Sequence, residues 1–354
     1  MITVLAATGF TGQLVAREVK RLGLPLRLAG RSAEKLSRFA AELGHGVETV
    51  VADVKQPETL LPIFEGTGVL INCAGPFTEL GEPVVAAAVH HGVHYLDTTG
   101  EQAFIKLVFE RYSELAKQKG IVVAPATAFE YALSDAAAAL AARELEPCDE
   151  ISIVYAVSGF GASRGTKKSV LRVLTDQGYL YQNGELVPTA PGREQRTVHL
   201  PSGRKLTAVS FPGGEAILVP RHVRTQAVIP MMALEATTTA LLGIGLPLLR
   251  AAMKTPMQRW LLGRIEAGAV GPTDEERKNS RFTVVCEASR GEDRHAVIVQ
   301  GRDPYGLTAT IAVAAASHLL RHGAAETGAL SPAMIAGPEL IVESTRAAGV
   351  TWLG

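Results

Sequence analysis

One turn near the N-terminus has the residue types and spacing of a phosphate-binding loop. It reads A-x-x-G-x-x-G from Ala6 to Gly12, follows an apolar run typical of a strand and opens a helical pattern. Gly9 lets the backbone approach a pyrophosphate, Gly12 lets the helix pack on the sheet, and the free N–H groups of the first helical turn attract an anion. An alanine replaces the first fingerprint glycine, so we expect a negative φ there. Unless this is an ordinary strand-to-helix turn, the residues that contact a dinucleotide are Thr8, Gly9, Phe10, Thr11 and Gly12.

The end of the second predicted strand indicates which dinucleotide binds. Sites for NAD usually carry a carboxylate at this point to hold the ribose hydroxyls. Here the strand is followed by Arg31 and Ser32, and a planar guanidinium suits a 2′-phosphate. Ser32 can add a hydroxyl donor and can also cap the next helix. The pattern therefore predicts NADP(H), with a solvated surface charge as the alternative for Arg31.

Other predicted strand ends supply further cofactor contacts. Asp53 follows the third strand and could accept from the adenine amino group or serve as the N-cap of the next helix. Cys73, Ala74 and Gly75 follow the fourth strand, where the backbone would pass the pyrophosphate or the nicotinamide ribose. Thr99 lies just beyond the fifth strand. Because ligands bind at the carboxyl ends of parallel strands, we expect all of these residues near the cofactor.

The fifth strand end also holds the catalytic candidates. A nicotinamide reductase must position its substrate for hydride transfer and must also supply a proton. Tyr95, Asp97 and Glu101 have side chains that can donate one. Strand alternation sends Tyr95 and Asp97 to the same face. The alternative for Asp97 is a residue that caps a loop, and for Glu101 a first-turn partner of the helix dipole.

Composition excludes several classes of partner. Lysine plus arginine and aspartate plus glutamate both number 35, so no basic field is available to bind nucleic acid. His90 and His91 are adjacent in a helical pattern and cannot face one site, so we expect no metal. Three cysteines without C-x-x-C spacing and an N-terminus without a secretion signal favour reduced thiols in a cytoplasmic protein.

Periodicity predicts the elements that position these residues. From residue 2 to about 125, apolar β-branched runs alternate with helical patterns, as in parallel βαβ units. We expect an α/β fold with a Rossmann, doubly wound parallel sheet in residues 1–130. Its predicted strands are Thr3–Ala6, Leu26–Ala29, Val47–Ala52, Val69–Asn72, His94–Asp97 and Ile121–Ala124.

The rest of the chain has a different pattern. Short runs separated by Asn183-Gly184 and Pro201-Ser202-Gly203 are typical of antiparallel hairpins, so a second, α+β domain is predicted over residues 131–303. Residues 304–354 return to helical patterns that we expect to pack on the first domain. Within the second domain, the glycine-containing loop Ser158–Gly165 could bind an anionic substrate group or be a flexible loop.

The motifs together resemble a known family, the saccharopine dehydrogenase-like oxidoreductases, which include trans-acting enoyl reductases. The stretches that carry the resemblance are residues 7–12, 29–32, 72–77 and 94–101, and more weakly 303–306 and 330–333. The resemblance implies a Rossmann domain interrupted by a substrate and dimerisation domain, and a homodimer. Residues 129–135 resemble a diverged form of the family segment Gly-Phe-Asp-Ser-x-Pro-x-Asp, without its glycine, first aspartate and proline.

The reaction predicted is reduction of a carbonyl, enoyl or imine group with NADPH. The Leu- and Met-rich stretch Ile229–Leu262 has helical spacing and would bury against the domain's own core, a dimer partner or an acyl chain, so a lipid-like substrate and peripheral membrane contact stay open. A second hypothesis is a dinucleotide-binding sensor or scaffold without turnover, because no compact acid–base motif is present. A Rossmann methyltransferase is third, disfavoured because Arg31 stands where such enzymes hold the ribose with a carboxylate.

Overall fold

The chain forms two compact units. A computed structural model describes residues 1–175, 177–235 and 257–354. The first unit consists of Met1–Ala132 and Tyr305–Ala348, and the second of Leu133–Pro304 and Gly349–Gly354. The chain therefore leaves the first unit, builds the second, and returns.

The first unit is built on a parallel seven-stranded sheet. Its strands are β1 (Ile2–Leu5), β2 (Leu26–Gly30), β3 (Val47–Val51), β4 (Val69–Asn72), β5 (His94–Asp97), β6 (Val122–Ala124) and β15 (Gly328–Ala329). They lie in the order β15-β6-β5-β4-β1-β2-β3, all parallel. This is a doubly wound, Rossmann-like sheet, and the predicted fold class is confirmed. The two-residue β15 is too short for periodicity to reveal.

Helices cover the sheet because their apolar faces match it. They are α1 (Phe10–Arg21), α2 (Ala33–Leu43), α3 (Phe77–His91), α4 (Gln102–Gln118), α10 (Pro304–His322) and α11 (Pro338–Ala347), with a 3-10 helix at Pro57–Ile63. Helix α5 (Phe129–Ala142) begins in the first unit and continues into the second. In α1, Val15 and Val19 recur one turn apart and are fully buried. Val313 of α10 lies in the same hydrophobic core as Ile2 and Val4 of β1. Burial of this shared apolar surface stabilises the packing of α10 in the first unit.

The second unit is a nine-stranded mixed sheet with short helices. Its strands are β7 (Glu150–Ser158), β8 (Gly178–Gln182), β9 (Glu185–Thr189), β10 (Gln195–His199), β11 (Lys205–Ser210), β12 (Ala227–Leu234), β13 (Arg281–Arg290), β14 (Asp293–Arg302) and β16 (Thr351–Leu353). Its helices are α6 (Arg164–Thr175), α7 (Glu215–Leu218), α8 (Met257–Ala267) and α9 (Asp274–Asn279), with a 3-10 helix at Val219–Arg221. The β8–β9 turn has positive φ at Asn183 and Gly184 (55° and 81°), as a type I′ hairpin requires.

Two sequence predictions fail in this unit. The helical prediction from Ile229 is wrong for the strand β12, which pairs with β11 and β7 and is buried along most of its length. Residues 236–256 of that stretch lie outside the described residues, and residues 257–262 lie in the helix α8, as the helical spacing predicts. The last apolar residues were expected on the first domain, but β16 pairs with β14 and joins the second unit. In the described ranges, no helix is both long and apolar enough to span a bilayer.

Candidate functional site

The carboxyl ends of the central strands meet on one edge of the first unit's sheet. The register aligns Leu5 of β1 with Asn72 of β4, and Asn72 with Asp97 of β5. The loops after β1 and β4 flank the point where the strand order reverses, which is where doubly wound sheets bind their ligands. The candidate site is therefore built from residues 6–12, 30–32, 53, 73–76 and 97–101.

The loop after β1 has no room for a side chain at Gly12 and little room for one at Gly9. A Cβ on Gly12 would lie 2.3 Å from the carbonyl oxygen of Ala6, and one on Gly9 would lie 3.1 Å from the same atom. Gly9 is the N-cap of α1, makes no side-chain cap bond, and is followed by a first turn without acidic residues. The N–H groups at this helix end are thus suited to bind a pyrophosphate, as the glycine spacing predicts.

Ala6 has a different backbone conformation from the one expected. Its φ is 58°, in the left-handed region, so the expectation of a negative φ for the alanine in this loop is wrong. Two backbone hydrogen bonds hold the turn: Gly9 N–H donates to the Ala6 carbonyl at 2.8 Å, and Ala7 N–H donates to the Ala29 carbonyl at 3.0 Å. A single left-handed residue costs roughly 1–2 kcal/mol, which the bonded turn can offset.

The end of β2 offers a free guanidinium. Arg31 is exposed, and in the described ranges no carboxylate forms an ion pair with it, so it can receive a phosphate. Ser32 caps α2 as predicted, its hydroxyl accepting from Lys35 N–H at 3.3 Å. Asp53 is half-buried and accepts from Lys55 N–H at 3.0 Å. It is not the N-cap of the following 3-10 helix, which begins after Gln56.

The loop after β4 is organised by a buried asparagine that the sequence analysis missed. Asn72 accepts from Ala74 N–H at 2.9 Å and donates to the Tyr95 hydroxyl at 3.1 Å. Gly75 is exposed, and Cys73 is half-buried on the same loop. Burial raises the pKa of Cys73 to about 12, so its sulfur stays a thiol and is no nucleophile. A polar asparagine ending an otherwise apolar strand was the available signal for this role.

The Asp97 carboxyl is fully buried beneath the site. Its Oδ1 accepts from Thr99 N–H at 2.9 Å and Ala126 N–H at 3.0 Å, while Oδ2 has no hydrogen-bond partner within 3.5 Å. Burial raises the pKa of Asp97 from an ordinary 3.8 to about 7, although both N–H groups and the neighbouring Tyr95 hydroxyl act to lower it. Burial, followed by the Asp97 charge, also raises the pKa of the fully buried Tyr95.

The remaining residues of this loop hold neighbouring backbone. Thr99 is fully buried, and its hydroxyl accepts from Glu101 N–H at 3.0 Å. Glu101 is one of the catalytic candidates, and the alternative reading expected it in the first turn of its own helix. Instead it is the N-cap residue of α4, and its carboxylate accepts from Phe77 N–H (2.8 Å) and Thr78 N–H (3.0 Å) at the start of α3. A negative charge is favourable there because of the helix dipole.

The comparisons with known proteins agree with this geometry. Residues 2–144 match the family model described as the saccharopine dehydrogenase NADP binding domain. A human saccharopine dehydrogenase-like oxidoreductase is 29% identical over 252 residues, which is 63% of this chain and 59% of the relative. A Mycobacterium tuberculosis protein with the provisional name trans-acting enoyl reductase is 34% identical over 187 residues, 49% of this chain and 44% of the relative. The chain thus spans less than two thirds of the length of these relatives.

One solved structure matches the whole chain. Apo saccharopine dehydrogenase (L-Glu forming) from Saccharomyces cerevisiae has a TM-score of 0.63 over 100% of this chain and 99% of the yeast chain. The identity is 12%, so this match supports the fold alone. Together the comparisons confirm the family resemblance read from the sequence and the prediction of NADP(H) for the first unit.

Replacing Gly9 with valine is expected to abolish dinucleotide binding and to leave the fold largely intact, because a branched side chain would occupy the pyrophosphate position. Calorimetric titration with NADPH measures the loss, and circular dichroism checks the fold. Gly263→Val is the control, since nothing lies within 4 Å of a Cβ built at Gly263. Unchanged affinity in the Gly9 variant would show that the phosphates bind elsewhere.

Replacing Asp97 with asparagine is expected to remove a pH-dependent loss of stability. Unfolded aspartate loses its proton near pH 4 (about 3.9), whereas folded Asp97 keeps it to about pH 7. Between these values the folded state binds more protons, so stability falls as pH rises. The stability of the Asp97→Asn variant relative to the unmodified protein should therefore increase from pH 5 to pH 8.

Urea denaturation across this pH range measures the difference. The exposed Glu58, replaced by glutamine, is the matched control, because that change removes the same charge at the protein surface. A difference between the Asp97→Asn variant and the unmodified protein that stays constant with pH would contradict the assignment.

Proposed function

We propose that this chain, whose residues 2–144 form a saccharopine dehydrogenase-type NADP-binding domain, is an NADP(H)-dependent oxidoreductase that reduces a carbonyl, enoyl or imine group. The observation that carries the proposal is the loop Ala6–Gly12. Its backbone excludes a Cβ at Gly12, leaves little space for one at Gly9, and lies at the start of α1, beside the reversal of strand order. A pyrophosphate group fits this arrangement.

Each cofactor-binding residue has a distinct task in the proposed reaction. NADPH supplies a hydride when bound. Gly9 and the first turn of α1 hold the pyrophosphate, and Arg31 pairs with the 2′-phosphate. The backbone at Cys73–Gly75, held by Asn72, directs the nicotinamide ribose. Holding hydride donor and acceptor in a fixed geometry is the main contribution a protein makes to such chemistry.

The substrate we propose is a lipid-like enoyl or carbonyl compound in preference to an amino-acid-derived imine. The name of the mycobacterial relative supports an enoyl substrate. Helix α8 adds support, because Met257 and Trp260 are 52% and 62% exposed, and solvent-exposed apolar groups of this size favour contact with an apolar molecule. Residues 229–234 offer no such surface, since they lie in the strand β12 and are mostly buried.

A second candidate is a dinucleotide-binding sensor without turnover. It is favoured because both acidic side chains at the site accept hydrogen bonds from the backbone. Glu101 accepts from N–H groups at the start of α3, and Asp97 accepts from two backbone N–H groups. Neither is exposed enough to exchange protons with a substrate. The homodimer, the cytoplasmic location and peripheral membrane contact stay predictions of the sequence.

The unmodified protein is expected to bind NADPH more tightly than NADH, and Arg31→Ala to remove most of the difference. A charge-assisted contact of guanidinium with phosphate contributes about 1.5–3 kcal/mol. Fluorescence or calorimetric titrations at fixed salt measure both affinities. The control is Arg38→Ala, because Arg38 is an exposed arginine of α2 that pairs with Glu34 at 2.7 Å. Equal affinity for NADPH and NADH in the unmodified protein would refute the assignment.

Substrate class is tested by NADPH oxidation with a matched series of enoyl and ketoacyl compounds beside aminoadipate semialdehyde plus glutamate. We expect turnover of the acyl series, with affinity rising by about 0.8 kcal/mol per buried CH₂ until the pocket is filled. Turnover of the amino-acid pair alone would refute the lipid-like substrate and retain the oxidoreductase. Tight NADPH binding without any turnover would favour the sensor.

A further inference from the structure

A helix outside the matched residues 2–144 contacts the phosphate-binding loop within the first unit. Tyr305, the second residue of α10, makes an edge-to-face contact with Phe10, the first residue of α1, with 4.9 Å between the ring centroids and 90° between the ring planes. Tyr305 is buried and Phe10 is half-buried. The start of the C-terminal helix α10 therefore lies against the start of the helix that follows the loop.

Helix α10 runs antiparallel to the strands of its sheet, with its N-terminus at their carboxyl ends. In its second turn, the Thr308 hydroxyl accepts from Phe129 N–H at 3.1 Å, and Phe129 follows the loop after β6. Near its other end, Leu320 lies beside Gly68, the residue before β4, since a Cβ built at Gly68 would be 2.5 Å from the leucine Cδ2. The first turn of α10 is thus fixed at the same sheet edge as the candidate site.

The contact with Tyr305 bears on the part of α1 that the candidate site uses. Phe10 begins the first turn of α1, whose N–H groups have no intrahelical partner and are suited to bind the pyrophosphate. The turn before it is strained, because Ala6 has a φ of 58°. A Phe10 ring held by its neighbour opposes relaxation of this turn and keeps the N–H groups in one orientation before a ligand binds.

A second aromatic pair of the first unit has the same centroid distance but lies at the opposite edge of the sheet. Phe64 stacks on His91 with 4.9 Å between the ring centroids, and Phe64 is buried. Phe64 precedes β4 and His91 precedes β5, so this pair lies at the amino ends of the strands. It is therefore a matched control for the effect of aromatic packing on stability alone.

We propose that Tyr305 is a positioning residue for the dinucleotide, acting through Phe10 on the turn that binds the pyrophosphate. The inference rests on the proposed function, and it extends the cofactor site to a residue of the C-terminal helix. Because NADPH and NADH both carry the pyrophosphate, Tyr305 supports the binding of both equally, whereas Arg31 distinguishes between them. Linkage also requires that a bound dinucleotide strengthens the contact of Tyr305 with Phe10 as much as the contact strengthens binding.

The test is calorimetric titration of the full chain with NADPH and with NADH. An edge-to-face aromatic pair contributes up to roughly a tenfold change in an equilibrium constant, so Tyr305→Leu should raise both Kd values by roughly five- to tenfold and leave their ratio unchanged. Tyr305→Phe keeps the ring and should bind within about twofold of the unmodified protein. Phe64→Leu removes a buried ring of the same unit and should leave both Kd values unchanged.

Urea denaturation separates positioning from a structural role. Tyr305→Leu and Phe64→Leu should both lower the free energy of unfolding, because each leaves a cavity, but only Tyr305→Leu should weaken binding. The double variant Phe10→Leu/Tyr305→Leu should bind no more weakly than the weaker of the two single variants, because both changes remove the same contact. If Tyr305→Leu does not fold, Phe10→Leu tests the contact from its half-buried side.

Hydrogen exchange gives a readout that needs neither a variant nor turnover. NADPH should slow amide exchange at the start of α10 as well as in residues 6–12, because the contact couples the two segments. The end of α3 that carries His91 is the internal control, and its exchange should not change.

Each outcome decides the inference. Kd values in Tyr305→Leu equal to those in Phe64→Leu, additive losses in the double variant, or unchanged exchange at the start of α10 would overturn the role of Tyr305 and leave the proposed function standing. A loss confined to NADPH would overturn it as well, because the pyrophosphate is common to both dinucleotides. If the unmodified protein binds neither NADPH nor NADH, the proposed function fails and this inference fails with it.

Discussion

The architecture of the candidate cofactor site depends on the hydrogen bonds that the buried Asp97 carboxyl accepts. Its Oδ1 accepts a hydrogen bond from an N–H of the loop after β5 and another from an N–H of the loop after β6. The Tyr95 hydroxyl beside it accepts a hydrogen bond from the side-chain amide of Asn72 in β4. Three strand ends are thereby connected through polar groups that have no access to water. Because burial favours the protonated acid, the network is most stable where Asp97 is neutral. The desolvation of Asp97 costs free energy, and the hydrogen bonds of its carboxyl fix the geometry of the loops.

The phosphate loop depends on backbone more than on side chains. Gly12 is required because any Cβ would collide with the Ala6 carbonyl, whereas a Cβ at Gly9 would only come into tight contact with the same oxygen. By contrast, the preference for a phosphorylated ribose is assigned to one exposed side chain, Arg31. In the proposed function, cofactor binding and cofactor choice are therefore separable properties.

Local patterns were sufficient to predict much of this arrangement. The six strands, the glycine turn and the Ser32 cap follow from periodicity and from bonds between near neighbours, such as that of Ser32 with Lys35. Contacts between distant residues could not be predicted. Glu101 binds residues 24 and 23 positions away, and Tyr305 of α10 contacts Phe10 of α1. Helical spacing also misassigned β12, because a strand buried between two neighbours is continuously apolar and resembles a helix in its composition.

The shared core of β1 and α10 has a consequence for the synthesis of the chain. Ile2 and Val4 pack in one cluster with Ala312 and Val313, which the ribosome adds roughly 300 residues later. At roughly 5–20 residues per second, the nascent cofactor-binding unit waits on the order of tens of seconds for its last core helix. During this interval all of the second unit except Gly349–Gly354 is synthesised, and the apolar surface of the first sheet is incompletely covered. The closure entropy of so long a connection grows only logarithmically with its length, so the delay is kinetic and is a period when chaperones can bind.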